Sequence, residues 1–191
     1  MTAALDTVLQ LRVLRHTQRA GQSAAIRSGL LQANGDLIGV LDGDGQNDPS
    51  DLSGMIKLFN NNTNELVFVG GVRVNRKYGK HRLWASSVAK YSRLFLLKDT
   101  HPDSGCGIKV FHKELFLKLP YFDHMHRFLS ALAQREEAKI LEYDVKHRER
   151  QIGTSNYTNF GRLIVGISDI MGVIWLRKRM PKNKVSKEIF K

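Results

Sequence analysis

Cysteine is almost absent from this chain of 191 residues: Cys106 stands alone. It has no partner for an intramolecular disulfide, which fits a reducing compartment and excludes cysteine-rich metal sites. Acidic residues are also scarce, 18 against 30 Lys and Arg, so the formal charge is +12. That sign favours phosphate esters, nucleic acid or an anionic membrane face as partners, but no recognisable motif supports a nucleic-acid binder. The start, Met1-Thr2-Ala3-Ala4-Leu5-Asp6, lacks a basic segment followed by an apolar run, so a secretory signal is not expected and the location reads as cytoplasmic. Internal repeats and low-complexity segments are missing as well. A spanning helix wants about 20 apolar residues, whereas the stretch 163–176 is interrupted by Ser168 and Asp169.

What is present suits one folded domain. Hydrophobic residues make up 42% and charged residues 25%, ordinary globular proportions. Helix formers over 22–33 stop at Asn34-Gly35-Asp36, and the apolar run Leu37-Ile38-Gly39-Val40-Leu41 reads as a strand buried on both faces. A helix over 51–60 and a strand at Glu65-Leu66-Val67-Phe68-Val69 complete a βαβ unit. Trp84, Val88, Tyr91 and Phe95 recur at helical spacing over 82–97. A further strand is expected within 105–111, a helix over 127–137 and an alternating strand over 139–145. The apolar stretch 163–176 abuts Arg177-Lys178-Arg179, the pattern of a helix lying on an anionic membrane surface. Trp84, Phe95 and Trp175 fit core or membrane-interface positions better than base-stacking ones. The domain boundaries expected are 1–158 for an α/β domain, 159–180 for an amphipathic helix and 181–191 for a basic tail.

Asp42-Gly43-Asp44 follows directly on the first buried strand. Ligands of open α/β sheets bind outside the carboxyl ends of strands, and one or two carboxylates plus phosphate oxygens suit Mg²⁺ or Mn²⁺. An Asp/Gly-rich turn explains the same residues equally well from local preferences. An EF-hand does not, because its twelfth position is Ser53. His124, His126 and His147 match no zinc-ligand spacing.

Other segments carry a resemblance. Gly21-Gln22-Ser23-Ala24-Ala25, Leu41-Asp42-Gly43-Asp44-Gly45-Gln46-Asn47-Asp48-Pro49, Gly71-Val72-Arg73, Asp103-Ser104-Gly105-Cys106-Gly107-Ile108-Lys109 and Arg148-Glu149-Arg150-Gln151-Ile152-Gly153-Thr154-Ser155 resemble, in order, the family 2 glycosyltransferases. Within that family they look like the branch of dolichyl- and polyprenyl-phosphate sugar transferases. The resemblance implies a GT-A-like, mostly parallel α/β sheet flanked by helices. It also implies metal-dependent, inverting transfer of a sugar from a nucleotide-sugar donor to a lipid phosphate acceptor at the inner face of a membrane. By it, Asp42 and Asp44 hold Mg²⁺ or Mn²⁺. Gln46, Arg73, Arg82, Arg148 and Ser155 contact substrate, while Asp103 and Arg150 are the catalytic candidates. Guanidinium forks match phosphate oxygens and stay charged at any working pH, which suits these roles.

The sequence also departs from that family. Its opening strand with a Pro-x-x-Asn-Glu-like end and a second strand ending in paired aspartates have no counterpart. Leu11-Arg12-Val13-Leu14-Arg15 resembles the third. The sheet is therefore expected to lack its first one or two strands, with weak donor binding and an apolar edge that invites homo-oligomers. The alternative reading is a catalytically impaired fragment serving as a membrane- or partner-binding module.

Overall fold

The computed structural model describes residues 10–62, 65–74, 94–148 and 159–179, the last helix by its backbone alone over 159–165. Of the residues singled out above, Arg82, Trp84, Val88 and Tyr91, with residues 82–93 of the helix expected over 82–97, and Arg150, Ser155 and the 181–191 tail lie outside them.

Helix α1 (Gly21–Gln32) leads into β1 (Leu37–Val40), then α2 (Asp51–Asn60) and β2 (Val67–Arg73). Asp51 in the first turn of α2 and Lys57 in its last complement the helix dipole. A second stretch supplies β3 (Lys109–His112), α3 (Lys113–Lys118), a 3₁₀ turn (Met125–Arg127), α4 (Leu129–Arg135) and β4 (Lys139–Val145). Helix α5 (Asn159–Arg179) is the last element described.

The sheet order is β1-β3-β2-β4. β2 pairs parallel with β4, but β3 runs antiparallel to both β1 and β2. This corrects the expectation of a mostly parallel sheet. β1, β2 and β4 share a direction, yet the chain re-enters at the end where β1 and β2 finish and so must run backwards between them. The βαβ strands β1 and β2 are consequently not neighbours. The reversal matters for the site: Lys109, first in β3, lies opposite both Val40 and Gly70, near the carboxyl ends of β1 and β2.

Period-2 alternation then builds two cores. Ile38, Phe68 and Phe111 point to one face, with Leu115, Phe116, Leu129 and Val173 of the helices. Phe68, Phe111 and Phe116 stack in succession, with centroids 5.7 and 5.9 Å apart. Val67, Val69, Val110 and Val145 point to the other face, against Met55 and Phe59 of α2. Burial of β2 on both faces explains its uninterrupted apolar sequence.

The segment around Leu11–Arg15 forms no strand. Its Arg12 donates to the carbonyl of Gln32 at 2.6 Å and His16 bonds Ser28 at 2.9 Å, so it follows α1 instead. Leu11, Val13 and Leu14 stay exposed because no strand of the described sheet lies beside them. Phe95 and Trp175 are likewise exposed, which removes them from the core.

Candidate functional site

Asp42 follows β1 by one residue beyond Leu41 and is half-buried. Gln22, in the first turn of α1, donates its amide to Asp42 Oδ1 at 2.6 Å. On the other side Gly107 approaches so closely that a Cβ there would fall 2.1 Å from Asp42 Oδ2. Only glycine permits that approach. Burial pushes the Asp42 carboxyl up from its ordinary value, with Lys109 opposing, Asp44 adding, and Arg73 and Gln22 opposing. Lys109 is buried among these groups, and burial lowers its pKa. Its ammonium donates to the carbonyl of Cys106.

Asp44 closes the turn that the sequence also allows: its Oδ1 accepts the Gln46 amide at 3.2 Å, and Gly45 next to it has φ +75°. Turn and metal readings therefore describe one loop, in which Asp44 shapes the backbone and Asp42 is the carboxylate in the interior. Among the described residues no group of three or more His, Cys, Asp or Glu could hold a metal. The donor set still fits a hard divalent cation that takes two carboxylates here and its remaining oxygens from phosphate and water. Asn47 adds a buried side-chain oxygen without a hydrogen-bond partner, in the same loop.

Arg73 ends β2 and is clamped by Asp103. Its Nε and Nη2 donate to the two carboxylate oxygens, each at 2.8 Å, and its backbone N–H donates to Oδ2 at 3.1 Å. Asp103 is 5% exposed and Arg73 18%. A bidentate pair of this kind fixes orientation as well as charge. The carboxylate is thus committed to holding Arg73, and the guanidinium still acts electrostatically on Asp42.

A second strip joins the loop after β1 to the segment after β4. Asn47 and His147 form a backbone bridge, and the Arg148 amide donates to the Gln46 carbonyl at 2.9 Å. Arg148 pairs with Asp48, which the Ser50 amide and hydroxyl also hold. Those Ser50 bonds, then Arg148 and Lys146, keep the Asp48 carboxyl below its ordinary value. His126 bonds Ser23 at 2.9 Å, and His124 pairs with Asp169 at 3.2 Å.

Of the residues that the sequence nominates, Asp42, Asp44, Arg73 and Asp103 come together at the carboxyl ends of β1 and β2. Gln46 and Arg148 sit on the adjoining strip, with Arg148 56% exposed and directed to Asp48. Sequence reasoning passed over Gln22, Lys109, Gly107 and Asn47. Lys109 had a legible signal, a lone charge opening an apolar strand; the glycine contact had none. Along β1 and α1 runs an open groove of about 770 Å³, lined by Ile26, Leu30, Leu37 and Ile38 and ending at Asp42 and Asp44.

The model of Glycosyl transferase family 2 matches residues 3–119. Dodecaprenyl-phosphate galacturonate synthase of Rhizobium johnstonii is 30% identical over 177 residues, 89% of this chain and 50% of that protein. Undecaprenyl-phosphate 4-deoxy-4-formamido-L-arabinose transferase of Pectobacterium carotovorum is 28% identical over 169 residues, 88% and 50% of the two chains. The chain thus spans about half the length of the curated relatives it matches. Glucosyl-3-phosphoglycerate synthase from Mycobacterium tuberculosis, solved with Mn²⁺, UDP-glucose and glycerol 3-phosphate, superposes with a TM-score of 0.58 at 14% identity, covering 94% of this chain and 61% of that one. Mannosyl-3-phosphoglycerate synthase from Rubrobacter xylanophilus gives 0.56 at 16%, covering 86% and 54%. These likenesses show a GT-A-like fold. With its family model matched over more than half its length and its aspartates at the end of β1, the chain belongs to glycosyl transferase family 2.

Proposed function

We propose that this chain belongs to an enzyme that moves a sugar from a nucleotide-sugar donor to a polyprenyl phosphate acceptor at a membrane surface. The observation that carries the reading is the Asp42–Asp44 pair at the carboxyl end of β1, with Arg73 and Lys109 within electrostatic reach of Asp42. Asp42 and Asp44 would hold Mg²⁺ or Mn²⁺, a Lewis acid for the diphosphate oxygens. Solved neighbours in this fold contain Mn²⁺ or Mg²⁺ with UDP.

Gln22 and Gly107 hold the Asp42 carboxylate in one orientation. Arg73, locked by Asp103, offers a fixed positive charge to the departing nucleoside diphosphate, a stabilisation that needs no reorganisation during reaction. Asp103 works as an orienting group rather than a base. A phosphate monoester acceptor has its second pKa near about 6 and is already an anionic nucleophile at neutral pH. Attack opposite the leaving group forms the new C–O bond as the old one breaks, inverting the sugar carbon. Arg148 guards the rim; Arg82 and Ser155 keep the substrate roles, and Arg150 the catalytic role, implied by the motif.

The membrane reading draws on α5. Ile167, Met171 and Trp175, spaced four residues apart, are exposed, while Val173 is buried in the core. Arg177, Lys178 and Arg179 close the helix. No helix among the described residues is long and apolar enough to cross a membrane. An apolar outer face ended by cations suits anionic lipid.

The test is transfer from a panel of UDP- and GDP-sugars to undecaprenyl phosphate with Mg²⁺ or Mn²⁺, followed by mass spectrometry of the lipid. Metal-dependent product that disappears in Asp42→Asn supports the reading. No transfer together with no metal-dependent binding of any nucleoside diphosphate overturns it.

A further inference from the structure

The loop before β3 contains a buried histidine that the chemistry above does not use. His101 is 3% exposed and stands two residues from Asp103. Its Nδ1 accepts the backbone N–H of Asp103 at 3.2 Å. Acceptance at Nδ1 requires the neutral ring with its proton on Nε2, because a protonated ring would set N–H against N–H. Nε2 is turned to the Gly70 backbone without a well-formed hydrogen bond, and a Cβ at Gly70 would lie 2.2 Å from it. The ring therefore has one seat, on β2, three residues before Arg73.

The seat is braced from behind. Asp99, 1% exposed, accepts the His101 amide at 3.2 Å and the Ser130 hydroxyl of α4 at 3.0 Å. Thr100 donates its amide to Gln134 of the same helix at 3.2 Å. Two successive side-chain-to-backbone bonds, Asp99 to residue 101 and His101 to residue 103, thus fix a loop that has no ladder to hold it. The acceptor end of this chain is the carboxylate that clamps Arg73.

We infer that His101 is a positioning residue: its neutral Nδ1 sets the backbone of Asp103, and through it aims Arg73 at the diphosphate side of the Asp42 site. The effect on substrate rests on the proposed function; the effect on Arg73 does not.

The experiment compares the parent protein with His101→Leu, which removes the acceptor, and His101→Asn, whose amide oxygen takes the Nδ1 position. In metal-free protein at pH 7, ¹⁵N NMR is expected to show an unprotonated His101 Nδ1 and an Arg73 Nε–H exchanging slowly with water. His101→Leu should lose that Nε–H signal while keeping its circular dichroism, and bind Mg²⁺–pyrophosphate about 10-fold more weakly, the size of other outer-sphere losses. His101→Asn should restore both. A proton on Nδ1 in the parent overturns the inference. So does an unchanged Arg73 signal in His101→Leu, or a His101→Asn variant as defective as His101→Leu. Should His101→Leu not fold, the parent's tautomer and His101→Asn decide. A parent that shows the NMR pattern but binds no Mg²⁺–pyrophosphate sinks the proposed function and leaves this inference standing.

Discussion

The carboxyl ends of β1 and β2 and the outer edge of β1 meet at Asp42, yet they are built on opposite terms. At the strand ends, Asp103, Arg73 and Lys109 are largely withdrawn from water and satisfied within the chain. Along the edge, the α1–β1 groove is open and apolar, and Leu11, Leu14 and Leu31 nearby are 39%, 49% and 49% exposed. The first region already has the charges that it needs to meet an anion. The second has apolar surface that nothing among the described residues covers. Substitutions should therefore cost much at the strand ends and little along the edge, where the effect should appear in association rather than in stability.

The largest effect is expected at the clamp. Asp103→Asn leaves the Arg73 charge half-buried without its counter-ion, and breaking one partner of a buried pair costs about 3–5 kcal/mol. Urea titration should move its midpoint down by that amount without changing the slope. A loss under about 1 kcal/mol would place the pair among surface ion pairs and dissolve the contrast. Next comes Asp42→Asn, which should lower metal-dependent transfer by more than about 100-fold, above the range for groups that merely support a metal ligand. Because burial already disfavours the Asp42 charge, the variant should melt no lower than the parent.

Much of this contrast was legible in the sequence, and the reasons differ by element. β1, β2 and the Asp42–Asp44 loop could be read because apolar runs mark strands and the first run stops where the carboxylates begin. Burial on both faces holds for β2 but not for β1, an edge strand with Gly39 and the adjoining Leu41 exposed. The direction of β3 could not, since Lys109–His112 carries no signal for the order in which strands enter a sheet. Lys109 and Gly107 matter only because that reversal brings them beside Asp42. Leu11–Arg15 was matched to a strand by its resemblance to the family's third, but a strand needs a neighbour to pair with, and that segment lies along α1. The roles implied for Arg148 and Arg73 rest on similar motif matches; only their surroundings separate an exposed arginine held by Asp48 from one locked behind β2.

Helix α1 is the wall common to both regions, and His126 ties it to the interior through Ser23. Burial, followed by Arg127, Lys109 and His124, lowers the His126 pKa to about 4. In the unfolded chain the ring takes a proton below about 6.5, whereas the folded chain resists until about 4. This part of the stability is therefore complete above about pH 6.5 and is lost progressively towards pH 4, on the order of 2–3 kcal/mol. Thermal melting between pH 7 and 4.5 should show the decline, and His126→Gln should flatten it. An unchanged slope in that variant would assign the titration elsewhere and free α1 from this tie.

The smallest effect on stability is expected along the edge. Leu11→Ser with Leu14→Ser removes two partly exposed side chains from the surface beside α1, and substitutions at such positions usually change stability by less than about 0.5 kcal/mol. Their apolar area is instead available to another molecule, since an open strand edge with exposed apolar residues is a template for pairing. Sedimentation velocity over a range of concentrations should show self-association of the parent that the double variant reduces, with an unchanged melting temperature. If the variant melts several degrees lower and associates as before, Leu11 and Leu14 belong to the packed interior, and the groove beside β1 is as complete as the clamp behind β2.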